Sequence, residues 1–208
     1  MDADAVEIRV LGSLIEKQRT TPDVYPLSLN ALRLACNQAT SRDPVVDYDE
    51  PTIRAALDRL ARKGWTRLAS GAGSRTAKYR HLLDEALRLD VGALALLAVL
   101  MLRGPQTAAE LRQRSERLHP FLSQEEVDRT LAELEERELV ALLPRRPGQK
   151  EQRYVQLLGP TAAAEPPSDN LSLGDPAAAG SELEERVAAL EQQVAALEAA
   201  LDELRRHH

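Results

Sequence analysis

The chain has 208 residues, a formal net charge of -6, 43% hydrophobic residues and one cysteine, Cys36. That length admits two small compact units, and a lone cysteine excludes both a disulfide framework and a cysteine-based metal site. The longest apolar run, Val91–Leu102, falls well short of the roughly 20 residues that a membrane span needs, and the acidic start MDADAVEIRV lacks a signal pattern.

The acidity is unevenly placed. Residues 1–86 carry 13 Lys/Arg against 12 Asp/Glu, residues 87–160 carry 11 against 11, and residues 161–208 carry 3 against 10. The body is near neutral and the tail is acidic, so no bulk positive field points to nucleic acid, and none forbids it. The expected compartment is the cytoplasm.

In chain order, Ile8, Leu11, Leu14 and Ile15 share one helical face. The prolines of Thr21–Pro26 force a turn, because each disfavours helix at the preceding residue. Ser28 can cap a second helix with Leu29, Leu32, Ala35 and Cys36 inward, and Asp49 a third with Ile53, Leu57 and Leu60 inward. Gly64 ends that helix. Trp65–Ala69, a Gly-containing turn and Arg75–Leu83 read as a hairpin.

The order then recurs. Val91–Leu102 has almost no polar face, so it is expected to be covered on several sides and to pack the two units together. Thr107 with Glu110, and Ser123 with Glu126, fit the capping-box pattern. Val127, Leu131 and Leu134 form an inner face, and Leu139–Leu143 with Glu151–Leu158 form a second hairpin. Residue matches support the repeat: Gly73/Gly148, Arg75/Lys150, Lys78/Arg153, Tyr79/Tyr154, and, one residue out of step, Ile53/Val127, Leu57/Leu131 and Leu60/Leu134.

Three helices followed by a hairpin, twice, predict a mostly α (α+β) chain of tandem winged-helix domains at residues 1–86 and 87–159. Residues 160–180, rich in Pro, Ala, Gly, Ser and Asp, read as a linker. Residues 181–206 read as a coiled-coil helix: Val187, Val194 and Leu201 occupy a, and Leu183, Leu190, Leu197 and Leu204 occupy d. Val at a with Leu at d favours a parallel pair, so a homodimer is expected.

The segment LGSLIEKQRTTPDVYPLSLNALRLACNQATSRDPVVDYDE, with LPRRPGQKEQRYVQLL later, resembles the bacterial YceH-like proteins, an uncharacterised tandem winged-helix family. The resemblance covers roughly residues 5–159 and is most specific over Glu16–Pro44. It implies a fold and carries no activity over to particular residues.

Two sets of cations are candidates for double-stranded DNA. On the third helix these are Arg54, Arg59, Arg62 and Lys63, which either face phosphates or form a solvated face. On the hairpins these are Arg75, Lys78 and Arg80 (with His81), then Arg145, Arg146, Lys150 and Arg153, which either reach phosphates or protect strand edges. The helix at 124–138 holds seven acids against Arg129 and Arg137, so a phosphate backbone would repel it. Asn37 and Gln38, followed by Arg42 and Asp43, are expected to hold a loop's backbone, with ligand or partner binding as the alternative. No phosphate-loop, dinucleotide, HExxH or nucleophile-elbow pattern occurs, and no cofactor or metal is expected. The expectation is a non-enzymatic, DNA-associated or transcription-regulatory dimer; the alternative is a protein-interaction scaffold.

Overall fold

In the computed structural model, which describes residues 3–69, 76–145, 149 and 151–160, the chain begins with helix α1, Ala5–Thr20. Asp4 caps it: its carboxylate accepts the Glu7 N–H and the Glu7 carboxylate accepts the Asp4 N–H, each at 2.8 Å. A 3-10 turn at Pro22–Val24 leads to the short strand β1, Leu27–Ser28. Ser28 caps α2, Leu29–Cys36, and Asp49 caps α3, Glu50–Arg62. Strands β2 (Thr66–Leu68) and β3 (Lys78–His81) follow, and then α4, Leu83–Leu87.

Helix α4 is absent from the expected elements; the strand ends at His81, and Asp84 and Glu85 sit in the first turn of the helix that replaces its end. The boundary expected between residues 86 and 87 therefore falls inside a helix. Next come α5 (Val91–Arg103), α6 (Ala108–Ser115), α7 (Gln124–Glu136), β4 (Val140–Leu142) and β5 (Tyr154–Gln156). The described residues are mostly helical, with two small antiparallel sheets ordered β1-β3-β2 and β4-β5.

The capping box at Thr107 and Glu110 forms in full. At Ser123 only half of one forms: the hydroxyl accepts the Glu126 N–H, while the Glu126 carboxylate turns to the Leu122 N–H at 2.8 Å.

The repeat holds hydrogen bond by hydrogen bond. Trp65 N–H donates to the Leu60 carbonyl and Leu139 N–H to that of Leu134, both at 2.9 Å. Ala69 N–H reaches the Lys78 carbonyl and Leu143 N–H that of Arg153, both at 2.8 Å. Leu68 pairs with Tyr79 as Leu142 pairs with Tyr154, and both tyrosines carry a further strand-like partner, Leu27 and Gln106. After α3 the chain turns through Gly64 at φ +73°, and after α7 through Glu138 at φ +55°.

Helices α1 and α5 join the two halves. Residues Gly92–Leu102 of α5 are all buried, as the sequence pattern predicts for an element covered on several sides. Gly12 marks the close approach, since a Cβ there would lie 2.9 Å from the Leu102 side chain. One apolar core runs from Leu11, Leu14 and Ile53 through Leu96 and Leu97 to Leu131 and Leu134. The Ala3 N–H also donates to the Leu158 carbonyl at 3.0 Å, tying the start of α1 to the exit from β5. All described residues lie within the compact unit Met1–Glu165. The heptad at Leu183, Val187, Leu190, Val194, Leu197, Leu201 and Leu204 lies outside the described residues, as do Arg75, Arg146 and Lys150.

Candidate functional site

The first hairpin carries its cations on one face. Arg67 pairs across the strands with Arg80, and Lys78 lies two residues before Arg80, so alternation puts all three on the same side. Thr66 and His81, on the opposite side, are buried. Arg67 and Lys78 are exposed, while Arg80 is half-buried and bonded to Glu85 of α4. Arg67 carries no signal in the sequence, because it stands alone in TRL; its partnership with Arg80 depends on the register across the turn. His81 does not belong with these cations: it is buried, its Nε2 lies 2.6 Å from Gln18 Oε1, and burial lowers its pKa from 6.5.

On α3 and at its C-cap, Lys63, the four cations divide. Arg59 bonds Asp4 at 2.6 Å and Lys63 bonds Glu7 at 2.8 Å, so both bind α3 to the start of α1. Lys63 also lies over the Trp65 ring, 5.8 Å from its centroid. Arg54 and Arg62 are exposed. Glu7 is itself buried, and removing these cations would strand its charge.

The second repeat is not a copy in charge. Arg153, the counterpart of Lys78, donates to Glu110 at 2.7 Å and to the Pro105 carbonyl at 3.0 Å, bonding the hairpin to α6. Arg145 is exposed, with Nη2 donating to the Gln149 carbonyl at 3.2 Å. On α7, Glu125, Asp128, Glu133, Glu135 and Glu136 are exposed, so its outward face is acidic.

The loop between α2 and α3 is held from within. Asn37 Oδ1 accepts the Tyr48 N–H at 2.9 Å, and its Nδ2 donates to the Tyr48 carbonyl at 2.8 Å. Arg9, buried in α1, donates to the carbonyls of Cys36 and Pro44. Arg42, also buried, grips Glu16 through two bonds of 2.6 and 3.2 Å and donates to the Ala35 carbonyl. Gln38 accepts from Arg42 at 3.1 Å. These polar residues act as the loop's frame, in line with the structural expectation. Arg9 left no sequence signal of this role, standing inside an apolar helical run. Cys36 is fully buried and burial pushes its thiol up to about 11, which leaves it un-ionised near neutral pH.

A family model described as "Protein of unknown function, DUF480" matches residues 3–149. The chain belongs to this DUF480 family. A UPF0502 protein of Citrifermentans bemidjiense is 50% identical over 193 residues, covering 92% of this chain and 87% of the relative. Another from Geotalea daltonii is 56% identical over 164 residues, covering 77% and 75%. A third from Shewanella sp. strain MR-4 is 45% identical over 218 residues and covers 98% of each chain. The resemblance read from Glu16–Pro44 thus holds at the level of family. The DUF480 match takes in α1 through β4, and so both interlocked halves. Among its described residues, no helix is long and apolar enough to cross a membrane.

Proposed function

We propose that this protein is a non-enzymatic, DNA-associated or transcription-regulatory protein of the cytoplasm, built from two winged helices and dimerised by the heptad at residues 183–204. The element order supports the winged-helix reading: α1, β1, α2, α3, β2 and β3 recur as α5, the Gln106 bridge, α6, α7, β4 and β5. In that reading β2–β3 and β4–β5 are the wings, and α3 and α7 the helices that commonly enter the groove.

The observation that carries the DNA reading is the alignment of Arg67, Lys78 and Arg80 on the outer face of the first wing. Long cations on a hairpin contact phosphates without selecting sequence. Helix α7 is acidic, so the first repeat makes the phosphate contacts and the second faces away from the duplex or toward a basic protein. That acidic face favours the second reading, a scaffold that docks partners on winged-helix surfaces without DNA.

A mobility-shift experiment with random-sequence duplex DNA at low salt separates the two. The DNA reading expects retardation by the full chain that is lost in Arg67→Glu plus Lys78→Glu. Absence of retardation at low salt favours the scaffold.

A further inference from the structure

Between α1, the loop before α3, α5 and α6 lies a cleft of about 550 Å³, within the roughly 300–1,000 Å³ typical of small-molecule sites. Its apolar lining is Val99, Leu102 and Leu118, each nearly fully buried. Its charged lining is Arg103, Arg114 and Arg117 against Glu16 and Glu116.

Three arginines face two glutamates, and Glu116 is within ion-pair distance of none of them among the described residues. Glu16 is committed to Arg42 through two bonds. Arg114, 3.4 Å from Glu110, shares that carboxylate with Arg153, which holds it more closely at 2.7 Å. Arg103 is fixed by a neutral group, donating to Ser41 Oγ at 2.6 Å. Among the described residues, no carboxylate lies within ion-pair distance of Arg103 or Arg117. Burial lowers the pKa of Arg103 and the nearby charge of Arg114 lowers it further, against a smaller pull the other way from Glu16. Arg103 and Arg114 therefore lie near each other, partly out of water, with one carboxylate, Glu110, shared between Arg114 and Arg153 and none on Arg103. A planar donor fork suits a carboxylate or phosphate, which would supply the missing charge and accept its hydrogen bonds.

We propose that this cleft binds a small oxyanionic ligand, with a phosphoryl or carboxylate group between Arg103 and Arg114 and an apolar remainder against Val99, Leu102 and Leu118. Such a ligand touches both repeats, because α1 and the loop belong to the first and α5 and α6 to the second. The proposal stands whether or not the first wing contacts DNA.

Thermal unfolding of the full chain tests it, with pyrophosphate and citrate as probes at up to about 10 mM and sodium chloride of equal ionic strength as control. At least one probe should raise Tm by about 2–5 °C over the control. Arg103→Gln plus Arg114→Gln should abolish that rise. A response to pyrophosphate alone assigns a phosphoryl group, to citrate alone a carboxylate, and to both a site for either. No rise over the salt control, or a full rise in the double variant, overturns the proposal. Should the double variant fail to fold, Arg114→Lys keeps the charge and loses the fork; an undiminished rise there overturns the proposal equally.

Discussion

Arg42 has a fully buried side chain that serves the Glu16 carboxylate, the Gln38 amide oxygen and the carbonyls of Ala35 and Ser41 at once. Replacing it with Ala leaves Glu16 beside a cavity with only the more distant Lys17 ammonium, at 3.9 Å, as counter-charge, and orphans two carbonyls. Urea denaturation should show Arg42→Ala destabilised by about 3 kcal/mol; a loss below about 1 kcal/mol would mean that water substitutes freely there. His81 gives a pH dependence. Burial lowers its folded-state pKa from 6.5, against the opposing pull of Asp84. Below that pH the unfolded chain therefore binds more protons than the folded one, so stability is full above it and declines as pH falls. Denaturation of wild type and His81→Gln at about pH 7.5 and about pH 5 should show the wild-type advantage shrinking on acidification. A constant difference would mean that His81 does not titrate differently on folding.

At the scale of elements, the two turns after α3 and α7 ask the same left-handed conformation of different residues. A Cβ on Gly64 would meet nothing within 4 Å, so only backbone strain opposes a side chain there. Gly64→Ala should cost about 1 kcal/mol by thermal or chemical denaturation. Glu138→Gly should cost nothing and gain up to about 0.5 kcal/mol, the relief of strain being partly offset by the flexibility of glycine in the unfolded chain. Equal effects of the same sign would break the equivalence of the turns. The helices and hairpins were legible because their signals are local: Ser28 and Asp49 cap where the pattern puts them, and Gly92–Leu102 is buried as its unbroken apolar run requires, only Val91 at its start being exposed. Helix α4 was not, since its five residues, Leu-Asp-Glu-Ala-Leu, are too few to show a helical period and Leu82 before it offers no side-chain cap. Of the candidate site, Arg54 and Arg62 lie exposed as read. Arg59, Lys63 and Arg153 were legible as cations but not as partners of Asp4, Glu7 and Glu110, because those carboxylates lie 43 or more residues away. Arg67, Arg103 and Arg114 gain meaning only from the register and from the α5–α6 junction.

At the scale of the molecule, α1 and α5 make one body of two repeats, and the heptad supplies a separate proposed means of pairing chains. Val194→Asp with Leu197→Asp puts charge at adjoining a and d positions, so sedimentation at micromolar concentrations should show a dimer for the full chain and a folded monomer for the variant. A dimer in both would place the contact in the body. The charge division between repeats makes the most direct test of the proposed function, in which phosphates meet the first hairpin and not α7. Fluorescence anisotropy of a labelled random duplex, titrated with protein over a salt series, measures this as the slope of log affinity against log salt. A steep slope is expected for the full chain, flattened by about 2 units in Arg67→Glu plus Lys78→Glu, as fewer counterions are released. Arg145→Glu plus Lys150→Glu reads the second wing's share on the same scale. No binding at low salt, or a slope that Arg67→Glu plus Lys78→Glu leaves unchanged, would contradict it.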